Sequence, residues 1–132
     1  MVHWQAIESA LTGSGIPDSN GCHDEQEFWM ECKSTQAWAV KFEPEQIGWI
    51  HRRTRAGGLV WIAVRRRHDG GPRLGVAVDE LWLVEGFWVR ELAEHGLREL
   101  LPDCRTSVHV FRDGPSQWDW PLVLKILTRK RY

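Results

Sequence analysis

No apolar run in this chain approaches the roughly 18 residues that a membrane-spanning helix needs, and arginines interrupt the longest candidates. The opening stretch MVHWQAIESALTG lacks the basic head and apolar core of a secretory signal. Cysteine is scarce: there are three, an odd number with no CxxC spacing. That suits a reducing compartment better than a disulfide framework, and it offers no structural zinc motif. Cys22, Cys32 and Cys104 therefore read as buried free thiols. Gly70-Gly71 lies in no strand-loop-helix frame, so a phosphate loop is absent and the pair marks a turn. Repeats and low-complexity tracts are missing as well. What remains is a soluble intracellular domain of 132 residues.

Net charge is also nearly absent, at −1, but this average conceals an uneven distribution. Residues 1–50 carry eight acids against two bases, whereas residues 51–132 carry ten acids against fifteen bases. Between positions 51 and 67 there is no acid at all, only Arg52, Arg53, Arg55, Arg65, Arg66 and Arg67. An acidic half beside an arginine-rich stretch suits a metal site next to a phosphate-binding surface. A solvated helix face and a charged strand end would give the same tally.

Apolar periodicity supplies the elements. Trp4, Ile7 and Leu11 at helical spacing predict a short first helix over 3–11, closed by Gly13, Gly15 and Pro17. Residues 17–22 and 27–33 read as two strands around a polar turn at 23–26, and TQAWAVKF (35–42) as an extended segment or third strand. Pro44, with Glu43 and Glu45 at the positive end of the dipole and Gly57-Gly58 at the far end, bounds a helix. Leu59 to Val64 is continuously apolar, as expected for a central strand covered on both faces. A strand at 80–84, an amphipathic helix at 87–101, a strand at 107–112 and a terminal helix at 118–128 complete an α/β domain around a mixed sheet.

One hairpin carries the chemistry. Along 27–33, Phe28, Met30 and Cys32 point to one face and Glu31 and Lys33 to the other. With a turn at 23–26, antiparallel partners sum to 49, so Cys22 faces Glu27 and Asp18 faces Glu31. Opposed side chains share a face with Cβ atoms about 4.5–5.5 Å apart. Two carboxylates placed so repel unless a proton or a cation lies between them, and a magnesium ion with one or two carboxylates and water resolves the conflict. Glu31 and Lys33 alone could equally be a surface ion pair worth little.

The ordered strings Gly15-Ile16-Pro17-Asp18, Glu31-Cys32-Lys33 and Pro44-Glu45-Gln46 resemble the PD-(D/E)XK nuclease superfamily, in the branch of Holliday-junction resolvases and VRR-NUC domains that includes small phage and prophage members. The likeness covers roughly residues 4–67. It implies a restriction-endonuclease-like core of the order αβββαβ, with a mixed β-sheet flanked by helices. A single nuclease-like domain would span 1–132, its core at about 4–85 and a C-terminal elaboration at about 86–132. It implies that Asp18, Glu31 and the backbone carbonyl of Cys32 bind Mg²⁺, with Mn²⁺ as substitute. Lys33 would orient or activate the attacking water, Gln46 would support the site, and Glu8 would complete it. The activity implied is hydrolysis of DNA phosphodiesters, on branched or junction DNA, in the cytoplasm of a bacterial or phage-infected host cell. The arginines at 52, 53, 55 and 65–67 would hold phosphates. The alternative within the same likeness is a nuclease-fold DNA-binding or assembly protein without catalysis.

Nine tryptophans are unusual for a chain this short. Trp61 belongs to the apolar strand, and Trp4 and Trp49 match helix faces, so all three read as core. Trp29 and Trp38 are the only candidates for base stacking. Trp82, Leu83, Phe87, Trp88, Trp118 and Trp120 fall outside the resemblance. They predict a homodimer surface built on strand 80–84 and the helix after it, or else a second small core.

Overall fold

The most apolar stretch of the sequence becomes the middle of the sheet. In the computed structural model, which describes residues 1–7, 15–100 and 108–129, Val60–His68 forms strand β4. Val60, Ile62 and Val64 point to one face and Trp61 and Ala63 to the other, and all five are buried. Burial on both faces explains why no polar alternation marks this strand in the sequence.

Six described strands lie side by side in chain order. They are β1 (His3–Ala6), β2 (Ser19–His23), β3 (Gln26–Thr35), β4, β5 (Val78–Glu85) and β6 (Val108–Phe111). Every neighbouring pair is antiparallel except β3 and β4, which run parallel and are joined through helix α1 (Pro44–Arg55). A parallel pair needs such a crossover, whereas antiparallel neighbours can be joined by tight turns. Helices α2 (Val89–His95) and α3 (Trp120–Leu127) complete the described elements. The chain is a mixed α/β fold.

The helices divide between two cores. Ile50 of α1 and Val89 and Leu92 of α2 pack with Ile62, Val64, Trp82 and Val84 on one face of the sheet. Val123, Ile126 and Leu127 of α3 pack with Phe28, Trp61, Leu83 and Trp118 on the other. Asp119 caps α3 by accepting from the Leu122 amide at 3.1 Å, and the Trp61 indole donates to the Leu127 carbonyl at 3.1 Å.

Three sequence expectations are corrected. Residues 3–6 are an edge strand, not the start of a helix, so among the described residues three strands precede α1 and β4 with no helix before them; residues 8–14 lie outside the described residues. All four residues of β1 are exposed, so the strand has no buried face to impose a period of two. Trp4 is accordingly half-exposed, its ring edge-on to Phe28 at 5.2 Å, and is not core. Second, the strand alternative for 35–42 fails: β3 ends at Thr35, and 36–43 is neither helix nor strand. Third, the helix expected over 87–101 is α2 between two single 3₁₀ turns. Gly96 interrupts it at φ 79°, packed so tightly on Trp38 that a Cβ would meet its carbonyl oxygen at 2.7 Å.

Candidate active site

The hairpin register is the one that brings two carboxylates together. Ser19 pairs with Met30 and Cys22 with Glu27, so positions across β2 and β3 sum to 49, and Asp18, one residue before β2, continues the series toward Glu31. The turn is tighter than the four residues expected. His23 pairs with Gln26, leaving Asp24 and Glu25 as a two-residue turn with φ of 50° and 64°. Left-handed conformations at both positions fit the right-handed twist of the strands. Shortening the turn by one residue on each side leaves the register unchanged.

The segment 15–18 docks on the start of α1. A Cβ on Gly15, at φ 86°, would collide with the Glu45 carbonyl, and Pro17 is fully buried. This close approach delivers Asp18 to the sheet. Its Oδ2 accepts from the Cys32 backbone N–H at 2.8 Å, and its own carbonyl accepts from the Ile7 amide at 2.7 Å. N–H and C=O of one strand residue leave on the same edge. The Cys32 carbonyl therefore also faces the side where Asp18 stands, beyond the first ladder pair of β2.

Glu31, only 1 % exposed, lies on the α1 face of β3. Gln46, in the first turn of α1, donates from Nε2 to Glu31 Oε2 at 2.9 Å. Its Oε1 accepts from Lys33 Nζ and from the Glu43 amide, both at 2.9 Å. The latter bond is the return arm of a capping box, so the helix start and the site share one side chain. The two donors on Oε1 fix the amide orientation and leave Nε2 for the carboxylate. Lys33 also sits over the Phe42 ring, 4.7 Å from its centroid. Sequence reasoning missed Phe42 and Glu43, although both immediately precede the helix start that locates Gln46.

Burial, then the hydrogen bond and charge of Asp18, push the Glu31 carboxyl up to about 8, against the opposing pull of Lys33. Two adjacent carboxylates in this state hold a proton between them, and a divalent cation can take its place. Among the described residues no group of three or more His, Cys, Asp or Glu side chains is arranged around one point. The donor set is thus two carboxylates with the Cys32 carbonyl, which fits a hard cation that keeps several waters.

The remaining candidates divide. Glu8 lies outside the described residues. Arg52, Arg53 and Arg55 are exposed on the last turn of α1, and Arg53 lies over Trp29 and Trp49 at 5.7 and 5.6 Å. The β4 arginines are engaged with β5. Arg65 forms a bidentate pair with Asp79 at 3.0 and 2.8 Å, and Arg67 approaches the same carboxylate at 3.9 Å. Arg66 is buried, bonds Glu80 at 2.9 Å and stacks 3.7 Å from the Trp38 ring centre. Trp29 is partly buried against Trp49, and Trp38 remains 36 % exposed.

Cys22 and Cys32 are exposed, correcting the buried-thiol expectation, and Cys104 lies outside the described residues. Small side chains at a hairpin next to an edge strand have nothing to cover them. Trp82, Leu83 and Trp118 are buried in the chain's own two cores, so they form no outer patch, and β5 is an internal strand. Phe87 and Trp120 are exposed. Among the described residues no helix is long and apolar enough to cross a membrane.

No protein-family model matches the chain, and no curated protein matches it either.

Proposed function

We propose that the chain is a divalent-metal-dependent DNA endonuclease with a restriction-endonuclease-like core, acting on branched DNA in the manner of Holliday-junction resolvases. The observation that carries this reading is the unbroken hydrogen-bonded series from Lys33 through Gln46 to Glu31, with Asp18 against the same carboxylate. A surface ion pair would put Lys33 on Glu31 directly and expose both. Here the carboxylate is buried and the ammonium is held apart from it by an amide.

Asp18, Glu31 and the Cys32 carbonyl would hold the cation. When bound, it supplies Lewis acidity toward a phosphoryl oxygen and acidifies a water. With the cation in place, Glu31, fixed by Gln46, would contribute a negative charge held in one position. Lys33, restrained by Gln46 and by the Phe42 ring, presents positive charge where the phosphorane oxygens develop negative charge. The exposed arginines at the end of α1 retain the DNA backbone without reading its sequence. A four-way junction has two scissile strands related by a two-fold axis, so resolution of a junction would take two copies of the chain.

Labelled linear duplex, flap and four-way-junction DNA, incubated with magnesium and then with EDTA, test the reading. Cleavage of a branched substrate that EDTA abolishes is expected. Intact substrates in magnesium and manganese, with DNA still bound, would instead support a DNA-binding protein without catalysis.

A further inference from the structure

The two edges of the sheet are not alike. At one, β6 is buried or half-buried along its length. At the other, all four residues of β1 are exposed, and among the described residues no strand lies beyond it. Sheet edges that stay single are commonly guarded by charge or proline, yet His3-Trp4-Gln5-Ala6 carries no acid, lysine or proline. The ladder fixes which backbone groups are open. Ile7 donates its N–H to the Asp18 carbonyl, so the odd-numbered residues turn their N–H and C=O toward β2. Those of Val2, Trp4 and Ala6 therefore point outward, with Trp4 at the centre of the row. On the α3 side Trp4 also lines a cavity of about 510 Å³, together with Met30, Ala63, Leu83, Trp118 and Trp120. Trp4 and Trp120 are both about half-exposed there.

We propose that β1 is the contact between two copies of this chain, paired antiparallel to its own symmetry mate about a two-fold axis that passes through the sheet at Trp4. An antiparallel strand pair is self-complementary, as an isologous contact requires. Centred on Trp4, every outward group finds a partner: Trp4 opposes its own counterpart, and Val2 opposes Ala6 of the partner subunit. These pairs exchange about six hydrogen bonds. A register centred on His3 or Gln5 would leave one of the three outward residues unpaired. The two indoles then stand side by side on the α3 face as a cross-strand aromatic pair. A foreign strand could use the same hydrogen bonds but would have to bring its own aromatic opposite Trp4, which a second copy supplies by symmetry. Four paired residues alone bury less than the roughly 1,200 Å² of a stable interface, and the apolar surface at Trp4 and Trp120 extends the contact. An axis normal to the sheet keeps both α1 faces on one side. Asp18 lies across from Ile7, three residues along β1 from Trp4, so the two carboxylate sites would open to the same side, about 25–30 Å apart by strand rise and spacing. That use of the contact rests on the nuclease reading above; the contact itself does not.

Sedimentation velocity of the full chain at micromolar concentration, without DNA, tests the contact. The wild type is expected at twice the 15.4 kDa of one chain. Ala6→Pro removes an outward N–H and no ladder bond to β2, and an edge strand tolerates proline there. It should weaken association about tenfold or more, the effect of two lost hydrogen bonds related by the two-fold, with far-UV dichroism unchanged. Trp4→Lys and Trp4→Glu should each sediment as one chain, and their equimolar mixture should recover the double mass, because position 4 opposes itself. Should the Trp4 variants fail to fold, Ala6→Pro decides. A wild type with the mass of one chain would overturn the contact. So would a dimer that folded Ala6→Pro and Trp4→Lys leave intact, and a mixture of folded Lys and Glu variants that stays at the mass of one chain would overturn pairing about Trp4. A dimer lost in Ala6→Pro, in a protein that cuts no DNA in magnesium, would support the contact and count against the nuclease reading alone.

Discussion

The carboxylate of Asp18 accepts from the backbone N–H of Cys32 at 2.8 Å, and so is fixed to the strand that carries Glu31 one residue earlier. An aspartate that merely ended a loop would be solvated. This one is an exposed acid tied to a sheet and pressed against a buried one. Asp18→Asn keeps the hydrogen-bonding shape and removes the charge. It is expected to lower Mn²⁺ affinity at least tenfold, on the order of the loss for altered metal ligation, as read by calorimetry. Unchanged affinity would place the cation elsewhere.

Glu31 gives a pH dependence with a definite sign. Its folded value of about 8 lies above the ordinary carboxyl value of 4.5, so between the two the folded protein holds a proton that the unfolded chain releases. The associated stability is fully present below about pH 4.5 and is lost as pH rises toward 8. In metal-free protein, Glu31→Gln should therefore raise the melting temperature at pH 8, by several degrees for a gain of about 1–2 kcal/mol, and change little at pH 4. The same substitution should abolish cleavage. A variant less stable than wild type at pH 8 would contradict this account of the carboxylate.

Lys33→Ala removes the ammonium but leaves the carboxylates and the arginines. Cleavage should fall by two to three orders of magnitude, roughly the effect of losing one charge-stabilising donor, while DNA affinity changes less than about twofold. Equal losses in binding and turnover would make Lys33 an ordinary phosphate contact.

The arginines of β4 and of α1 should behave in opposite ways. Arg66→Ala leaves the buried Glu80 with the Trp82 indole and a longer ion pair to Arg112 at 3.7 Å, and should cost about 3 kcal/mol in denaturant unfolding. Arg53→Ala, at an exposed position, should change stability by less than about 1 kcal/mol and weaken DNA binding. A destabilised Arg53→Ala together with a neutral Arg66→Ala would reverse the assignment.

Much of this was legible in the sequence, and the failures have physical causes. The helix bounded by Pro44 and Gly57, the buried strand after it, and the sum of 49 across the hairpin all follow from strong local signals. Each has a cap, a continuous apolar run or a polar turn to mark it. The run Arg65 to Arg67 looked free of acids because the partners are cross-strand rather than sequential: Arg66 opposes Glu80 and Arg67 opposes Asp79 in the ladder. Strand β1 was misread because an exposed edge strand has no buried face, which let the spacing of Trp4 and Ile7 pass for a helix. Trp82 and Trp118, expected on an outer surface, are buried because the sheet has helices on both faces and so two cores to fill, whereas Trp120 is exposed. Gln46 could be named from its motif, but its two-sided bonding to Lys33 and Glu31 depends on how α1 packs against β3, which no local signal encodes.

The proposed cation site lies between Asp18 and Glu31. Crystals grown in manganese and measured at the manganese absorption edge would locate the ion. One anomalous peak within coordinating distance of both carboxylates is expected, and it should be lost in Asp18→Asn crystals. A wild-type map with no peak there, at a manganese concentration that supports cleavage, would contradict it.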